Sequence, residues 1–450
     1  MLDCIYKHPL FKVFYTVGML LGACAVVFYG WEINGAILFA YIASAALILS
    51  SKLTDAMLPA MLLSVFVTKC YNSADTFLAK WPWMIPVVLA IIAHFVIYRE
   101  NYRQSLRAGS TFPALCAVTV AITLGGLGTI SKTDYFSGVS LFYMFGLGLG
   151  MLLFYLIVRT NLDPDDSRDV ARVLYATGIL ACFCVLNFYH ESREIFAESH
   201  IFVRFQSQNN LSTFLMLAMP FPMLYASKRY VDLAATPLIY FCIVLTGSRG
   251  GLLMGTVEFF LILTIFALRR RSAVALRILC GGLALAALGA LYAHLPKLLA
   301  FMNVPHDVND TSLTASLSAL REYMFGGNEV RIQLIHRMTE DFRLNPVFGT
   351  GIGYTGNVDL YNPVKGAMNW YHVWFAQVIG GLGVIGILAY GYQLCNRVAV
   401  FIRNRRSETL VMLLSYVGLF LMSQVNPGEF CPIPYAALAV TYFAIMEQKS

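Results

Sequence analysis

Residues 245–271 read LTGSRGGLLMGTVEFFLILTIFALRRR. Three parts follow one another: a polar, glycine-rich turn, an apolar run over 250–268 whose one charge is Glu258, and three successive arginines, Arg269, Arg270 and Arg271. A run of about 20 apolar residues is what a helix needs to cross ~30 Å of hydrocarbon. Lys and Arg stay on the cytoplasmic side during insertion, so the triple arginine marks the inner end of this span. The turn holding Arg249 therefore faces outward, where orientation has no use for an arginine.

The rest of the chain repeats the pattern. Of 450 residues, 58% are hydrophobic and 13% charged, against roughly 25% charged in a soluble domain. Apolar runs recur near 11–30, 35–50, 56–71, 82–98, 112–131, 138–158, 170–189, 211–227, 232–247, 250–268, 273–295, 370–395, 409–425 and 432–446. They lack the dyad alternation of barrel strands, which leaves helices. The expectation is an all-α integral membrane protein of about 12–14 transmembrane helices. It divides into eleven helices over 1–295, an extracytoplasmic loop with an amphipathic helix over 296–369, and the C-terminal helices over 370–450. The first run has no convincing small-residue cleavage site and should remain as an anchor. Ten cysteines, mostly inside apolar runs, show neither CxxC nor zinc spacing and read as small buried hydrophobes.

The basic clusters follow the fourth, sixth, eighth, tenth and twelfth runs: Arg99, Arg103 and Arg107; Arg159, Arg168 and Arg172; Lys228 and Arg229; Arg269–Arg271; Arg403, Arg405 and Arg406. Every cluster follows an even-numbered run, which places both termini in the cytoplasm. The net charge of +7 is largely this orientation signal and calls for no nucleic-acid partner. All five tryptophans, Trp31, Trp81, Trp83, Trp370 and Trp374, fall in or beside odd-numbered connections. An interfacial aromatic belt accounts for them; stacking against a sugar or lipid head is the sharper reading for Trp370 and Trp374.

Outward connections carry the polar interest. The one near 190–210 holds His190, Glu191, Arg193, Glu194, Glu198, His200, Arg204, Asn209 and Asn210. In the longest, Val330, Leu334, Met338 and Phe342 form an apolar stripe at helical spacing, with Asn328 as a candidate N-cap. Asn345-Pro346 ends that helix, and Gly349, Gly351 and Gly353 read as a flexible stretch behind it.

Three residues are equipped for chemistry. Arg249 sits at the membrane boundary and offers a guanidinium fork that suits phosphate; a snorkelling interfacial arginine is the ordinary alternative. Arg331 lies in the first turn of the loop helix, where free N–H groups also favour an anion, although Glu329 and Arg337 fit a plain solvated face. His372 lies in the first turn of the run at 370–395, where a helix N-terminus favours a neutral ring able to act as a base; a structural histidine is the alternative. Asp163-Pro164-Asp165-Asp166 imitates a paired-aspartate metal site but faces the cytoplasm and reads as a helix cap. Glu258 calls for a partner inside the bundle. No metal ligation and no cofactor is expected from these spacings.

These residues resemble the bacterial O-antigen ligase and polysaccharide polymerase family, the Wzy/WaaL-like membrane glycosyltransferases. Leu245 to Gly251 resembles the family's motif at the outer end of a helix. Arg331 followed by Pro346, Gly349, Gly351 and Gly353 resembles its arginine-led loop helix with a Pro-x-x-Gly-x-Gly tail. His372 with Gln377, Gly383 and Gly386 resembles its histidine-led helix, although Val373 stands where asparagine is usual. Arg204 with Asn209 and Asn210 is similar to an upstream element. The likeness covers roughly 205–390.

It implies a C-type glycosyltransferase-like fold in the bacterial cytoplasmic membrane. The implied reaction is metal-independent, inverting glycosyl transfer on the extracytoplasmic face, from an undecaprenyl-pyrophosphate-linked glycan to a sugar hydroxyl. Arg249 and Arg331 would clamp the pyrophosphate and His372 would act as base, with Arg204, Asn210, Trp370 and Trp374 binding substrate. The acceptor would be a glycan, lipid A core or, as an alternative, a protein. A lipid-linked oligosaccharide flippase is the rival from another class; it predicts charges deep in several spans.

Overall fold

The computed structural model describes residues 9–29, 32–67, 79–103, 108–130, 132–162, 166–191, 207–226, 229–269, 273–301, 312, 314–315, 318, 329–352, 371–426 and 428–448. Every regular element among them is a helix. Six are long and apolar enough to cross a membrane: Leu10–Tyr29, Ser140–Asn161, Asp166–His190, Arg249–Leu268, Val274–Leu291 and Trp374–Arg403. Shorter apolar helices account for the other runs, among them Ile33–Leu49, Phe112–Leu124, Ser407–Ser423 and Ile433–Met446. The chain is an all-α, multi-pass membrane protein. The run at 211–227 holds two helices, Gln208–Ala218 and Pro222–Ala226, because Pro220 and Pro222 lack the N–H that a continuous helix needs.

Connections of one parity bond to each other. After even-numbered runs, Lys52 Nζ lies 3.5 Å from Asp166, Arg159 3.5 Å from Glu447 and Arg168 3.6 Å from Glu408. Arg269 donates to Ser407 Oγ at 2.7 Å, and Asn404 to the Gln448 carbonyl at 2.9 Å. After odd-numbered runs, Ser248 Oγ donates to Asn209 Oδ1 at 2.7 Å and Asn426 Nδ2 to Asn210 Oδ1 at 2.8 Å. Asn345 reaches the Leu127 carbonyl at 2.7 Å, and Thr129 the Gly349 carbonyl at 3.0 Å. The alternation read from the charges is thus built into the packing as two opposite faces. Asp166 is the first described residue of the Asp166–Glu191 helix and bonds to Lys52; Asp163 and Asp165 lie outside the described residues.

One expected span is a different object. The run at 370–395 predicts a single straight crossing, but the Trp374–Arg403 helix is broken at Gly383, whose φ of 63° and ψ of −154° are not helical. The Trp374 and Tyr390 rings are 5.8 Å apart although they stand sixteen positions apart; a straight helix would separate those positions by about 24 Å. The first half therefore bends sharply back on the second. The residues 346–351 fill the elbow. Thr350 and Gly351 donate to the carbonyls of Gly380 and Gly381 at 3.0 and 2.7 Å, and Val384 donates to the Pro346 carbonyl at 2.8 Å.

This corrects the reading of the glycines as a flexible spacer. Gly349 has a φ of 64°, and a Cβ there would meet the Gly381 carbonyl carbon at 2.5 Å. Its role is close backbone approach across the elbow. Gly353 lies outside the described residues. Glu258 also departs from expectation. It is fully buried against Gly418, and neither carboxylate oxygen has a hydrogen-bond partner among the described residues.

Candidate functional site

Arg249 is the first residue of the Arg249–Leu268 helix and is exposed. The preceding turn is fixed from both sides. Ser248 Oγ accepts from Gly251 N–H at 3.0 Å and donates to Asn209, while Thr246 and Ser212 share a hydroxyl hydrogen bond of 2.7 Å. Gly251 leaves no room for a side chain, since a Cβ would lie 2.5 Å from Ser212 Oγ. The result is a guanidinium beside the open end of a helix, and both favour an anion.

Asn210 is buried rather than open to a ligand. Its side chain accepts from Asn426, and its carbonyl accepts from Tyr435 Oη at 2.8 Å. Asn426 belongs to the segment following the Ser407–Ser423 helix, and Val425 in the same segment packs against Gly250. The end of that helix also meets the broken one: the Trp374 ring is 5.3 Å from Phe420. Residues 420–426 thus touch the Arg249 turn on one side and Trp374 on the other. Trp374 is half-buried among Tyr390 and Phe420, and its indole N–H is buried without a hydrogen-bond partner among the described residues.

His372 precedes the helix instead of lying in its first turn, because Val373 is extended and acts as N-cap. Among the described residues it is the one non-glycine with positive φ, at 57°. A side chain held in this left-handed region costs about 1–3 kcal/mol, and such strain gathers at functional sites. Its neighbours explain how the conformation is held. Gln377 Oε1 accepts from Tyr371 N–H at 3.2 Å, and the buried Tyr371 hydroxyl bonds to Asp341 and, at 3.2 Å, to Thr350. Asp341 in turn lies 3.0 Å from Arg337. The loop helix Glu329–Leu344 is thereby anchored to the histidine's own segment.

That helix buries Leu334 and half-buries Met338, which packs on Tyr371, Val373 and Ala376. Phe342 completes the expected stripe as a half-buried residue. Arg331 stands in the first turn of that helix, seven positions before Met338. Its side chain, like those of Glu329 and Val330, is outside what the structure describes, as are Arg204, Asn328 and Trp370.

Several residues of this region escaped the sequence reading. Asp341 and Tyr371 look like ordinary surface choices until the elbow joins them. Asn426 and Glu429 lie just past a span in Asn426-Pro427-Gly428-Glu429, where a polar turn attracts no notice. Arg397 stood beyond the expected end of its run at 395, but the helix continues to Arg403 and buries it.

A cavity of about 400 Å³ elsewhere, between Leu47, Met61, Phe154 and Leu438, is lined almost wholly by hydrocarbon. His94 lines it with both ring nitrogens engaged, by the Leu47 carbonyl and Tyr102 Oη, so no reactive group faces it. No group of three His, Cys, Asp or Glu side chains suited to a metal occurs among the described residues.

No curated protein matches the chain. Residues 234–391 match the family model described as O-antigen ligase. That interval contains the Arg249 turn, the loop helix, the glycine-filled elbow and His372. This stretch matches an O-antigen ligase family domain, carried by a multi-pass membrane protein, and the match supports activity of the O-antigen ligase or polymerase type in general.

Proposed function

We propose that the protein transfers a glycan from undecaprenyl pyrophosphate to a sugar hydroxyl at the extracytoplasmic face of the bacterial cytoplasmic membrane, as a polysaccharide polymerase or O-antigen ligase. The observation that carries this reading is the meeting at residues 420–426. There the Arg249 turn and the start of the broken helix, two positions from the strained His372, rest on one segment.

The chemistry follows from the residue types. Pyrophosphate departs with the bonding electrons of the anomeric C–O bond while the acceptor oxygen forms the new bond. Arg249, with Arg331, stabilises the charge growing on the departing phosphate. His372 takes the proton from the acceptor hydroxyl. Asn210 acts by holding Asn426, and so the shared segment, in place. Trp374 offers an aromatic wall near the histidine. With both termini cytoplasmic, the Arg249 face is the outer one.

Purified protein in lipid vesicles, given a polyprenyl-pyrophosphate glycan, tests the reading. His372→Ala and Arg331→Ala should each lower transfer ~10²–10³-fold with abundance unchanged. Full activity in both would remove the mechanism. Transfer should persist in EDTA; loss restored by magnesium would return attention to Asp163 and Asp165. Deleting the gene separates the two activities: uniformly short surface glycans mean a polymerase, and accumulated lipid-linked polymer means a ligase.

A further inference from the structure

Arg397 and Glu429 form an ion pair inside the helical bundle. Arg397 Nη1 lies 2.5 Å from Glu429 Oε1, and the two residues are 6% and 7% exposed. The same guanidinium bonds to the Tyr416 hydroxyl and lies 4.4 Å above the Tyr416 ring and 5.2 Å from that of Phe443. Burying two charges among aromatic rings is costly, and hydrophobic residues of similar volume would pack there at least as well. Bundle stability alone is a poor reason for the pair.

Its position suggests another. Arg397 stands on the second half of the broken helix, past the Gly383 elbow. Glu429 stands on the segment that carries Val425 against Gly250, Asn426 onto Asn210, and Phe430 to 5.4 Å from Tyr390, itself 5.8 Å from Trp374. The backbone N–H of Glu429 bonds to Ser423 Oγ at 3.2 Å, so the carboxylate is aimed by its own turn. One contact thus ties the broken helix to the segment that supports the Arg249 turn. Neither residue belongs to the interval of the family match, which ends at 391.

We propose that Arg397 and Glu429 are positioning residues whose ion pair fixes the Arg249 turn relative to the His372 segment. The proposal rests on the glycosyl-transfer reading for its activity readout. Misalignment of phosphate cation and base by about 1 Å costs on the order of 10²-fold in rate. It acts on the transition state more than on donor binding, so kcat should fall while KM stays nearly constant.

The experiment uses the full chain in lipid vesicles with a polyprenyl-pyrophosphate glycan as donor. Glu429→Gln, Arg397→Gln, Arg397→Lys and the exchanged pair Arg397→Glu/Glu429→Arg are compared with wild type for kcat, KM and thermal unfolding. Glu429→Gln should lower kcat ~10–100-fold with KM within about threefold, and the conservative Arg397→Lys should recover part of the loss shown by Arg397→Gln. Should Glu429→Gln fail to fold, Arg397→Lys carries the same comparison. Variants that lose only unfolding temperature, with kcat per folded molecule unchanged, would overturn the proposal. Transfer by Arg249→Ala as strong as that of wild type would instead overturn the reading beneath it, while a kcat loss in the Arg397 and Glu429 variants would still show that the pair positions the site.

Discussion

The two faces are built from different bonds. On the even-numbered face, arginines and lysines meet carboxylates: Lys52 with Asp166, Arg159 with Glu447, Arg168 with Glu408. On the odd-numbered face, the bonds fixing the turns run between neutral groups, as in Asn209 with Ser248, Asn210 with Asn426 and Ser212 with Thr246. Cations on the first face stitch neighbouring connections together. The turn that carries Arg249 is thus held by amides and hydroxyls. The contrast separates connections stitched by ion pairs from turns fixed by neutral groups.

Labelling with an impermeant thiol reagent on intact cells is the sharpest way to break this contrast. Arg343→Cys and Arg405→Cys, both at exposed positions on opposite faces, should give all-or-none results. Arg343→Cys should label from outside, and Arg405→Cys only after lysis; the reverse would invert the assignment of faces. Next in size comes Gly349→Ala. Its positive φ costs about 1–3 kcal/mol in any other residue, and the added carbon would strike backbone across the elbow. Transfer should fall at least ~10-fold with a lower unfolding temperature; near-wild-type stability would mean that the elbow tolerates a wider gap.

Asn426→Ala should cost about 1–2 kcal/mol, because it leaves the buried Asn210 amide oxygen without its donor. Denaturant unfolding in micelles checks this, and no change would remove Asn426 as a strut. Arg168→Ala should do least. Its side chain is 69% exposed, so the pair with Glu408 is worth at most about 1 kcal/mol, and transfer should be unchanged. A large loss of transfer there would erase the distinction between the faces.

Much of the architecture could be read from periodicity and charge, because both are local. A run near twenty residues and the arginines behind it lie together in the chain, and every run holds a helix. The broken helix could not be read in this way. Gly383 and Gly386 read as part of a histidine-led helix, but what they, Gly380 and Gly381 do depends on residues 346–351 arriving from another part of the chain. The same holds for the site. Arg249 announces itself as a charge where none is needed, but Asn210 and Asn426 meet across 216 positions, and no local pattern joins them. Asn210 illustrates the limit well: next to the right motif, it turns inward as a support.

The central claim is that Arg249 serves a transition state carrying phosphate charge. The most direct measurement is the single-turnover rate of glycan transfer by Arg249→Ala at saturating lipid-linked donor, in vesicles, beside wild type. The account predicts a fall of ~10²–10³-fold with unaltered unfolding temperature. A rate within about twofold of wild type would contradict it.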